Sequence, residues 1–301
     1  MFINDISEKI EIVEVGPRDG FQNECDVISL ENKVRTIESL VETGLKYIEA
    51  TSFVHPKWVP QLADADQLLQ KITSIDKVRF SVLVPNEKGF ERALQANVKE
   101  ICLFLSASES HNKKNVNMTP EESMKNFSGI IKAALSKSMI VRCIIATSFA
   151  CPFEGTIKPE AVLKIATDLV EYGVNEVVLA DTIGHANPRQ VYELFSLLKS
   201  RVPEVIISAH FHDTMGMGLS NVLAALQAGI RKFDASVGGL GGCPFAPGAS
   251  GNIATEDIVN MLNRMGYKTG ISLEKLLETS SLLENIVGRP ASSHMSRLEL
   301  V

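Results

Sequence analysis

The stretch VIISAHFHDTMGMGLSNVLAALQAGIRKFDASVGGLGG, residues 205–242, decides the fold. It begins with a short apolar run of β-strand character, continues through a segment of helical period and ends in a second short strand, FDASV. A strand, a helix and a further strand in so short a length of chain form one β–α–β unit, in which the two strands run parallel. The stretch therefore predicts a parallel sheet.

Eight β-rich runs of this kind recur along the chain, and segments of helical period separate most of them. The runs are nearly continuous in Val, Ile and Leu, which is typical of strands buried on both faces of a parallel sheet. Several helical segments end in a glycine just before the next strand, where glycine commonly terminates a helix (Gly44, Gly173 and Gly229). The eight runs are IEIVEVGPRDG (10–20), YIEATSF (47–53), RFSVLVP (79–85), EICLFLSAS (100–108), IVRCIIATS (140–148), EVVLADTIG (176–184), VIISAHFHD (205–213) and KFDASVGGLGG (232–242).

Eight strand-then-helix units predict an α/β fold, a (β/α)8 TIM barrel over about residues 10–265. A doubly wound sheet is the alternative, but its first strand is normally followed by GxGxxG, and this chain has GPRDG there (16–20). The tail, 266–301, predicts one or two extra C-terminal helices packed on the barrel. We expect residues 1–301 to form a single catalytic domain.

Composition limits the classes of function. The chain has 301 residues and a formal net charge of −6, which disfavours non-specific nucleic-acid binding. No run reaches the roughly 18 apolar residues of a membrane span. The five cysteines show no CxxC spacing, which argues against a disulfide framework or a zinc knuckle. The start, MFINDISEKI, resembles neither a signal peptide nor a transit peptide. We therefore expect a cytoplasmic enzyme with neither a nucleic-acid nor a membrane partner.

Polar side chains cluster where the predicted strands end, and in such barrels the active site lies at the C-terminal ends of the strands. The residues at these ends are Arg18 and Asp19 after the first strand, Glu49 in the second, Asp181 in the sixth, His210 and His212 in the seventh, and Cys243 and Asn252 after the eighth.

His210 and His212 are two residues apart in a β-like run, so both side chains leave the strand on the same side. An isolated pair of this kind is equally compatible with ordinary interior histidines. The carboxylate of Asp19 and the amide of Asn252 favour a metal site. Imidazole and oxygen ligands without a thiolate suit Mg²⁺ or Mn²⁺ better than structural zinc.

Three further features carry candidate roles. Arg18 follows Gly16-Pro17 at the end of a buried strand and is predicted to be a fixed cation, with Glu49 orienting it. The segment 238–252 contains six glycines around Cys243 and is interpreted as a lid that bears a thiol, although such loops also bind phosphate. Lys113 and Lys114 are predicted to lie in the loop after strand four, where a solvated pair is the ordinary interpretation.

Four motifs together resemble the 3-hydroxy-3-methylglutaryl-CoA lyase family, of the metal-dependent barrel superfamily named for its Asp-Arg-Glu trio. The resemblance runs from about Ile10 to Gly266 and implies a TIM barrel that cleaves this CoA ester into acetyl-CoA and acetoacetate with Mg²⁺ or Mn²⁺, in leucine catabolism and ketone-body metabolism. It also implies an acyl-CoA substrate and a homodimer. The motifs are VEVGPRDGFQNE (13–24), IEATSFV (48–54), HFHDTMG (210–216) and GGLGGCPFAPGASGNIATED (238–257).

The resemblance also assigns roles to residues. Arg18 would hold the enolate oxygen of the departing thioester, and Cys243 would protonate its carbon; the general base remains open among Asp19, His212 and a hydroxide ion on the metal. A further hypothesis places the CoA phosphates near Lys113 and Lys114. The implied metal ligands are Asp19, His210, His212 and Asn252, and the implied catalytic set is Arg18, Asp19, Glu49, Asp181, His210 and Cys243.

Three other functions compete with this interpretation. A Claisen-condensing acyltransferase, such as isopropylmalate or homocitrate synthase, shares the Arg-Asp pair and the HxH motif, but its loop after strand eight resembles GERAGN rather than GGCPFAPGASGN. A zinc-dependent hydrolase on a barrel usually carries HxH at strand one, whereas here it lies at strand seven. A non-catalytic binding barrel would not need the complete set of acid, cation, metal ligands and thiol.

Overall fold

A computed structural model describes residues 9–242 and 251–298 of the chain. Ten strands alternate with helices along this part of the chain, and eight of them belong to one sheet. The eight sheet strands are β1 (Glu11–Glu14), β2 (Tyr47–Ser52), β3 (Arg79–Leu83), β4 (Glu100–Ser106), β5 (Ile140–Ala146), β8 (Glu176–Asp181), β9 (Ile206–Phe211) and β10 (Lys232–Ala235).

These eight strands close into a barrel in the ring order β1-β10-β9-β8-β5-β4-β3-β2, and every neighbouring pair is parallel. The predicted TIM barrel is therefore confirmed, and the doubly wound alternative is wrong. The remaining two strands, β6 (Ala150–Cys151) and β7 (Gly155–Thr156), form a small antiparallel hairpin just after β5. The periodicity of the sequence did not predict this hairpin.

Helices alternate with the barrel strands. Several begin at residues whose side chains cap the first turn: Thr119 and Asn187 each accept a bond from the third helical amide, and Glu122 and Gln190 close the two capping boxes. The helices are α1 (Leu30–Glu42), α2 (Ala65–Ile72), α3 (Glu87–Gln95), α4 (Glu109–Val116), α5 (Pro120–Ser136), α6 (Pro159–Glu171), α7 (Pro188–Arg201), α8 (Gly218–Gln227), α9 (Thr255–Arg264) and α10 (Leu273–Val287).

The predicted C-terminal extension contains one α-helix, α10, followed by a 3-10 turn at Met295–Arg297. Helix α10 packs on α1, where the hydroxyl oxygens of Ser39 and Thr279 lie 2.7 Å apart. Further along, the carboxylate of Asp257 in α9 accepts bonds from the backbone amides of His294, at 2.9 Å, and Met295, at 2.8 Å. The end of the described chain is thereby attached to the helix that follows the eighth barrel strand. Within residues 9–242 and 251–298, no helix has both the length and the apolar character needed to cross a membrane.

The main apolar core lies between the sheet and the surrounding helices, as the Val- and Ile-rich strands predict. The inside of the barrel is different. One small apolar group fills part of it, formed by Cys102, Ile144, Val178 and Ala180. The rest of the interior holds buried charged side chains, which we call the charged layer: Glu49, Glu100, Arg142, Glu176, Lys232 and Asp234.

Arg142 of β5 is the centre of the charged layer and has no exposed surface. It contacts carboxylates on β2, β8 and β10. Strand β5 is three places away from both β2 and β10 in the ring, so these contacts can form only across the inside of the barrel. The charged layer therefore links strands that share no backbone hydrogen bonds.

Candidate active site

Arg18 and Asp19 lie in a single π-helical turn, Gly16–Gly20, directly after β1. The buried carboxylate of Glu14, the last residue of β1, positions this turn by accepting a bond from the Gly16 amide at 2.8 Å. A Cβ at position 16 would come within 2.7 Å of the same carboxylate, so only glycine permits this approach. Burial raises the pKa of Glu14 to about 7.

Glu14 also holds two segments that follow β10. Its Oε1 accepts a bond from the amide of Val237 at 3.0 Å, and its Oε2 accepts one from the Thr255 hydroxyl at 2.6 Å. Val237 directly precedes the glycine-rich segment 238–252, and Thr255 begins α9 three residues after Asn252. One carboxylate thus connects the turn that carries Arg18 and Asp19 to both ends of the loop after the eighth strand.

His210 and His212 face each other at the end of β9, with 3.2 Å between their Nε2 atoms. The Nδ1 of His210 lies 3.2 Å from Oδ2 of Asp234 on the neighbouring strand β10. Although burial alone would favour protonation of Asp234, the guanidinium of Arg142 lowers its pKa to about 2. An ionised carboxylate only accepts hydrogen bonds, so His210 donates from Nδ1, and the lone pair of the neutral ring is then on Nε2.

His212 is also in the form that binds a cation. Burial lowers its pKa to about 3, because the desolvated site disfavours the imidazolium. A neutral imidazole has one nitrogen lone pair available, and metals bind histidine in this state. Two Nε2 lone pairs that face each other at this distance are stabilised by a cation between them.

Asn252 reaches the histidines because the chain returns antiparallel to the end of β9. The amide of Ile253 donates to the carbonyl of Phe211 at 3.1 Å, and Asn252 itself pairs with His212 across an isolated bridge. Gly251, at φ 88°, permits this return, since a Cβ there would lie 2.5 Å from the carbonyl oxygen of Gly241.

The Asn252 amide is oriented by its nitrogen. Nδ2 donates to Oδ2 of Asp19 at 2.7 Å and to the carbonyl of Leu240 at 3.0 Å. Its Oδ1 is buried, and in residues 9–242 and 251–298 it has no hydrogen-bond partner. A buried amide oxygen without a partner is costly, which is a reason to expect a ligand there.

Three of the four predicted ligands lie close enough together to hold one divalent cation. Ligand atoms of Asp19, His210 and His212 all lie within 4.8 Å of one another. Neighbouring ligands at about 2.1 Å from one octahedral ion are about 3 Å apart, which agrees with the 3.2 Å between the two imidazoles. Oxygen and nitrogen donors without a thiolate make up this set, and the unpaired oxygen of Asn252 is a further donor of a type that such a cation accepts.

Arg18 lies against this cluster and is held by two carboxylates. Its Nη1 donates to Oδ1 of Asp19 at 2.7 Å, and its Nε donates to Oε1 of Glu49, as the sequence predicted for an orienting glutamate. Burial opposes the charge on Arg18, but Glu49 and Asp19 more than compensate, so its pKa lies above the ordinary value. In turn, Arg18 outweighs the burial of Asp19 and keeps the pKa of this carboxyl below its usual range. A guanidinium ion is thereby fixed beside the metal ligands.

Asp181 ends β8, beside Phe211 of β9. Both of its carboxylate oxygens accept backbone amide bonds at 3.0 Å, from His185 and Ala186. Burial raises its pKa to about 6, although these two amides favour the charged form. Its observed contacts stabilise the turn after β8.

Two predictions about loops have different outcomes. Lys113 and Lys114 do not lie in a loop as predicted, because residues 109–116 form helix α4, capped by the side chain of Ser108. Lys113 pairs with Glu109 one turn earlier, and Nζ of Lys114 lies 3.6 Å from the ring centroid of Phe153. Cys243 lies outside the residues that the structure describes, so its position in the site stays a prediction.

The sequence interpretation missed the residues beneath the site, chiefly Glu14, Arg142 and Asp234. Each is a charged residue within a run that is otherwise apolar, such as IVRCIIA (140–146) and FDASV (233–237). A charge in a strand predicted to be buried on both faces is a signal that was available. It does not reveal the partner, because the partners lie on strands far away in sequence.

The chain matches the HMGL-like family over residues 9–283. It is 47% identical over 286 residues to the hydroxymethylglutaryl-CoA lyase of Bacillus subtilis, covering 95% of this chain and 96% of that protein. A crystal structure of the B. subtilis HMG-CoA lyase superimposes with a TM-score of 0.94, covering 96% of this chain and 97% of that one.

A second solved structure is an HMG-CoA lyase from Acinetobacter baumannii in complex with coenzyme A and 3-methylmalate. It is 40% identical, has a TM-score of 0.93 and covers 99% of both chains. The chain belongs to the HMGL-like family.

Proposed function

We propose that this protein is a divalent-metal-dependent lyase that cleaves 3-hydroxy-3-methylglutaryl-CoA into acetyl-CoA and acetoacetate. The observation that carries the proposal is the buried guanidinium of Arg18, fixed by Glu49 and in direct contact with Asp19 of the candidate metal cluster. The relatives from Bacillus subtilis and Pseudomonas mevalonii, 47% and 45% identical to this chain, are hydroxymethylglutaryl-CoA lyases, so a Claisen-condensing acyltransferase is not favoured.

The proposed metal ligands are Asp19, His210, His212 and Asn252, and their donor types favour Mg²⁺ or Mn²⁺. A cation bound there would act as a Lewis acid that acidifies the tertiary hydroxyl of the substrate. Asp234 would keep the tautomer of His210 fixed, and Asn252 would turn its free amide oxygen toward the site.

Cleavage breaks one carbon–carbon bond and involves two proton transfers, one from the substrate hydroxyl and one to the enolate carbon. The tertiary hydroxyl gives up its proton to a base, the carbon–carbon bond breaks, and its electrons pass into the thioester, which leaves as an enolate. Arg18 is suited to hold the enolate oxygen, since a preorganised cation in a dry site stabilises charge that develops in the transition state. The enolate carbon then takes up a proton, which we assign to the thiol of Cys243.

The remaining assignments extend this proposal. Asp181 would keep the turn after β8 in place at the edge of the site. Lys113 and Lys114, on α4 at the same end of the barrel, would lie near the CoA phosphates, and CoA is bound in the A. baumannii structure. We further propose that the barrel and its C-terminal helix act as one catalytic domain and that two copies form a homodimer.

The direct test is incubation of the purified protein with 3-hydroxy-3-methylglutaryl-CoA and Mg²⁺, with acetoacetate and acetyl-CoA measured as products. The account expects both products in equal amounts. Absence of acetoacetate, with release of free CoA instead, would indicate a thioester hydrolase and contradict the proposal.

Metal binding is predicted to depend on His210. Removing the metal with a chelator should abolish activity, and Mg²⁺ or Mn²⁺ should restore it. His210→Ala should weaken Mn²⁺ binding by more than the roughly 10- to 100-fold that loss of an outer-shell contact costs, because a ligand itself is lost. Calorimetric titration of the metal-free protein measures this, with His294→Ala, whose side chain is 75% exposed and lies against Asp257, as control. Equal affinity in both variants would contradict the assignment.

Arg18→Lys is predicted to lower kcat by roughly 10²–10³, with a much smaller change in KM. Lysine keeps the charge, but it cannot bond Glu49, Asp19 and a substrate oxygen with one planar group. Steady-state kinetics with saturating metal measures the two constants. An increase in KM at unchanged kcat would reassign Arg18 to substrate binding.

Cys243→Ala is predicted to retain Mn²⁺ binding and thermal stability but to lose roughly 10²–10⁴ in turnover, the usual contribution of a positioned acid or base. An alkylating reagent should inactivate the wild type, and substrate should protect it. Cys25, which is exposed, provides the matched control, since Cys25→Ala should behave as the wild type does. Near-normal turnover in Cys243→Ala would remove the thiol from the chemistry.

A further inference from the structure

We propose that Arg142 is a positioning residue that fixes both the candidate metal site and the Arg18 guanidinium from inside the barrel. The inference deepens the proposed function and rests on it for the roles of Arg18 and His210. In the part of the chain that the structure describes, no hydrogen bond or ion pair joins Arg142 to Arg18 or His210. Arg142 acts on each of them through one carboxylate.

The first connection runs through Asp234. Nη2 of Arg142 donates to Oδ1 of Asp234 at 2.7 Å, and the other oxygen, Oδ2, lies 3.2 Å from Nδ1 of His210. Asp234 has no exposed side-chain surface, so bulk water does not compete for these bonds. The guanidinium therefore determines which way the carboxylate points, and the carboxylate determines the orientation of the imidazole and which nitrogen faces the cation.

The second connection runs through Glu49. Oε1 of Glu49 accepts from Nε of Arg18, while Oε2 lies 3.6 Å from Nη1 of Arg142. Glu49 is fully buried between the two guanidinium groups and has no exposed surface. The Glu49 carboxylate is therefore paired with Arg142 in the interior and with Arg18 at the site. Movement of either guanidinium would move the carboxylate.

A third contact anchors the guanidinium itself. Nε of Arg142 lies 3.2 Å from Oε1 of Glu176 as an ion pair, and that oxygen accepts a hydrogen bond from the Ser208 hydroxyl at 2.6 Å. The three nitrogen atoms of Arg142 thus lie within ion-pair distance of three carboxylates on three different strands, and the contact with Asp234 is also a hydrogen bond. Only a planar group with a fixed fork can do this, so lysine at this position would retain the charge and lose the geometry.

Lys232 supplies a matched control. It is a second buried cation of the charged layer, 6% exposed, and its Nζ donates to Oε2 of Glu176. In the described residues its ion pair is with Glu176 and not with Glu49 or Asp234. Lys232→Met therefore removes a buried positive charge from the same layer while the two connections to the site remain.

The experiment titrates Mn²⁺ into metal-free protein by calorimetry for the wild type, Arg142→Lys, Arg142→Met and Lys232→Met, and records thermal unfolding of each. Both Arg142 variants should bind Mn²⁺ roughly 10- to 100-fold more weakly, the usual effect of losing an outer-shell partner of a ligand. Lys232→Met should stay within about twofold of the wild type, whatever its thermal stability. Where Arg142→Met does not fold, Arg142→Lys, which retains the charge, carries the test.

A second measurement separates positioning from stability. In folded Arg142→Lys with saturating Mn²⁺, kcat should fall at least about tenfold while KM changes little, because Arg18 loses its fixed orientation. Wild-type Mn²⁺ affinity in Arg142→Lys, or an equal loss in Lys232→Met, would overturn the proposal. The Mn²⁺ titration does not depend on acetoacetate formation, so it can fail or succeed independently of the proposed lyase activity.

Discussion

The interaction on which the site depends is the contact of Arg142 with carboxylates of three other strands inside the barrel, two of which, β2 and β10, lie across the interior from β5. Removing one partner of a buried ion pair is strongly destabilising, because it leaves a charge that neither water nor another group compensates. The buried charges of the charged layer are therefore paired only when the strands that carry them are in their observed register. Arg18 and His210 lie directly above that layer, each bonded to one of its carboxylates.

A second constraint acts along the rim of the barrel. The carboxylate of Glu14 accepts hydrogen bonds from the turn after β1, from the Val237 amide just before the glycine-rich segment and from the Thr255 hydroxyl at the start of α9. The segments that carry Arg18, Asp19 and Asn252 are far apart in sequence and are joined through this one buried group. The ligands of the candidate site are thus supported by rigid neighbours, as a precise metal site requires.

The sequence predicted the barrel and the ligand set because both have local signals. Strand and helix periods repeat eight times, and the HxH pair necessarily points to one side of its strand. The partners of buried charges had no such signal: nothing in IVRCIIA (140–146) indicates that its arginine reaches Asp234, because that contact depends on barrel closure. Helix α4 was missed for another reason, since its polar sequence lacks an apolar stripe and its first turn depends on the Ser108 cap.

The claim that four residues assembled by these constraints hold one divalent cation has a direct test. Crystals of the protein soaked in Mn²⁺ should be measured at a wavelength where manganese scatters anomalously. The account predicts one strong peak in contact with Asp19, Nε2 of His210, Nε2 of His212 and Oδ1 of Asn252. If there is no peak at this position, or if the peak contacts neither imidazole, the claim is contradicted.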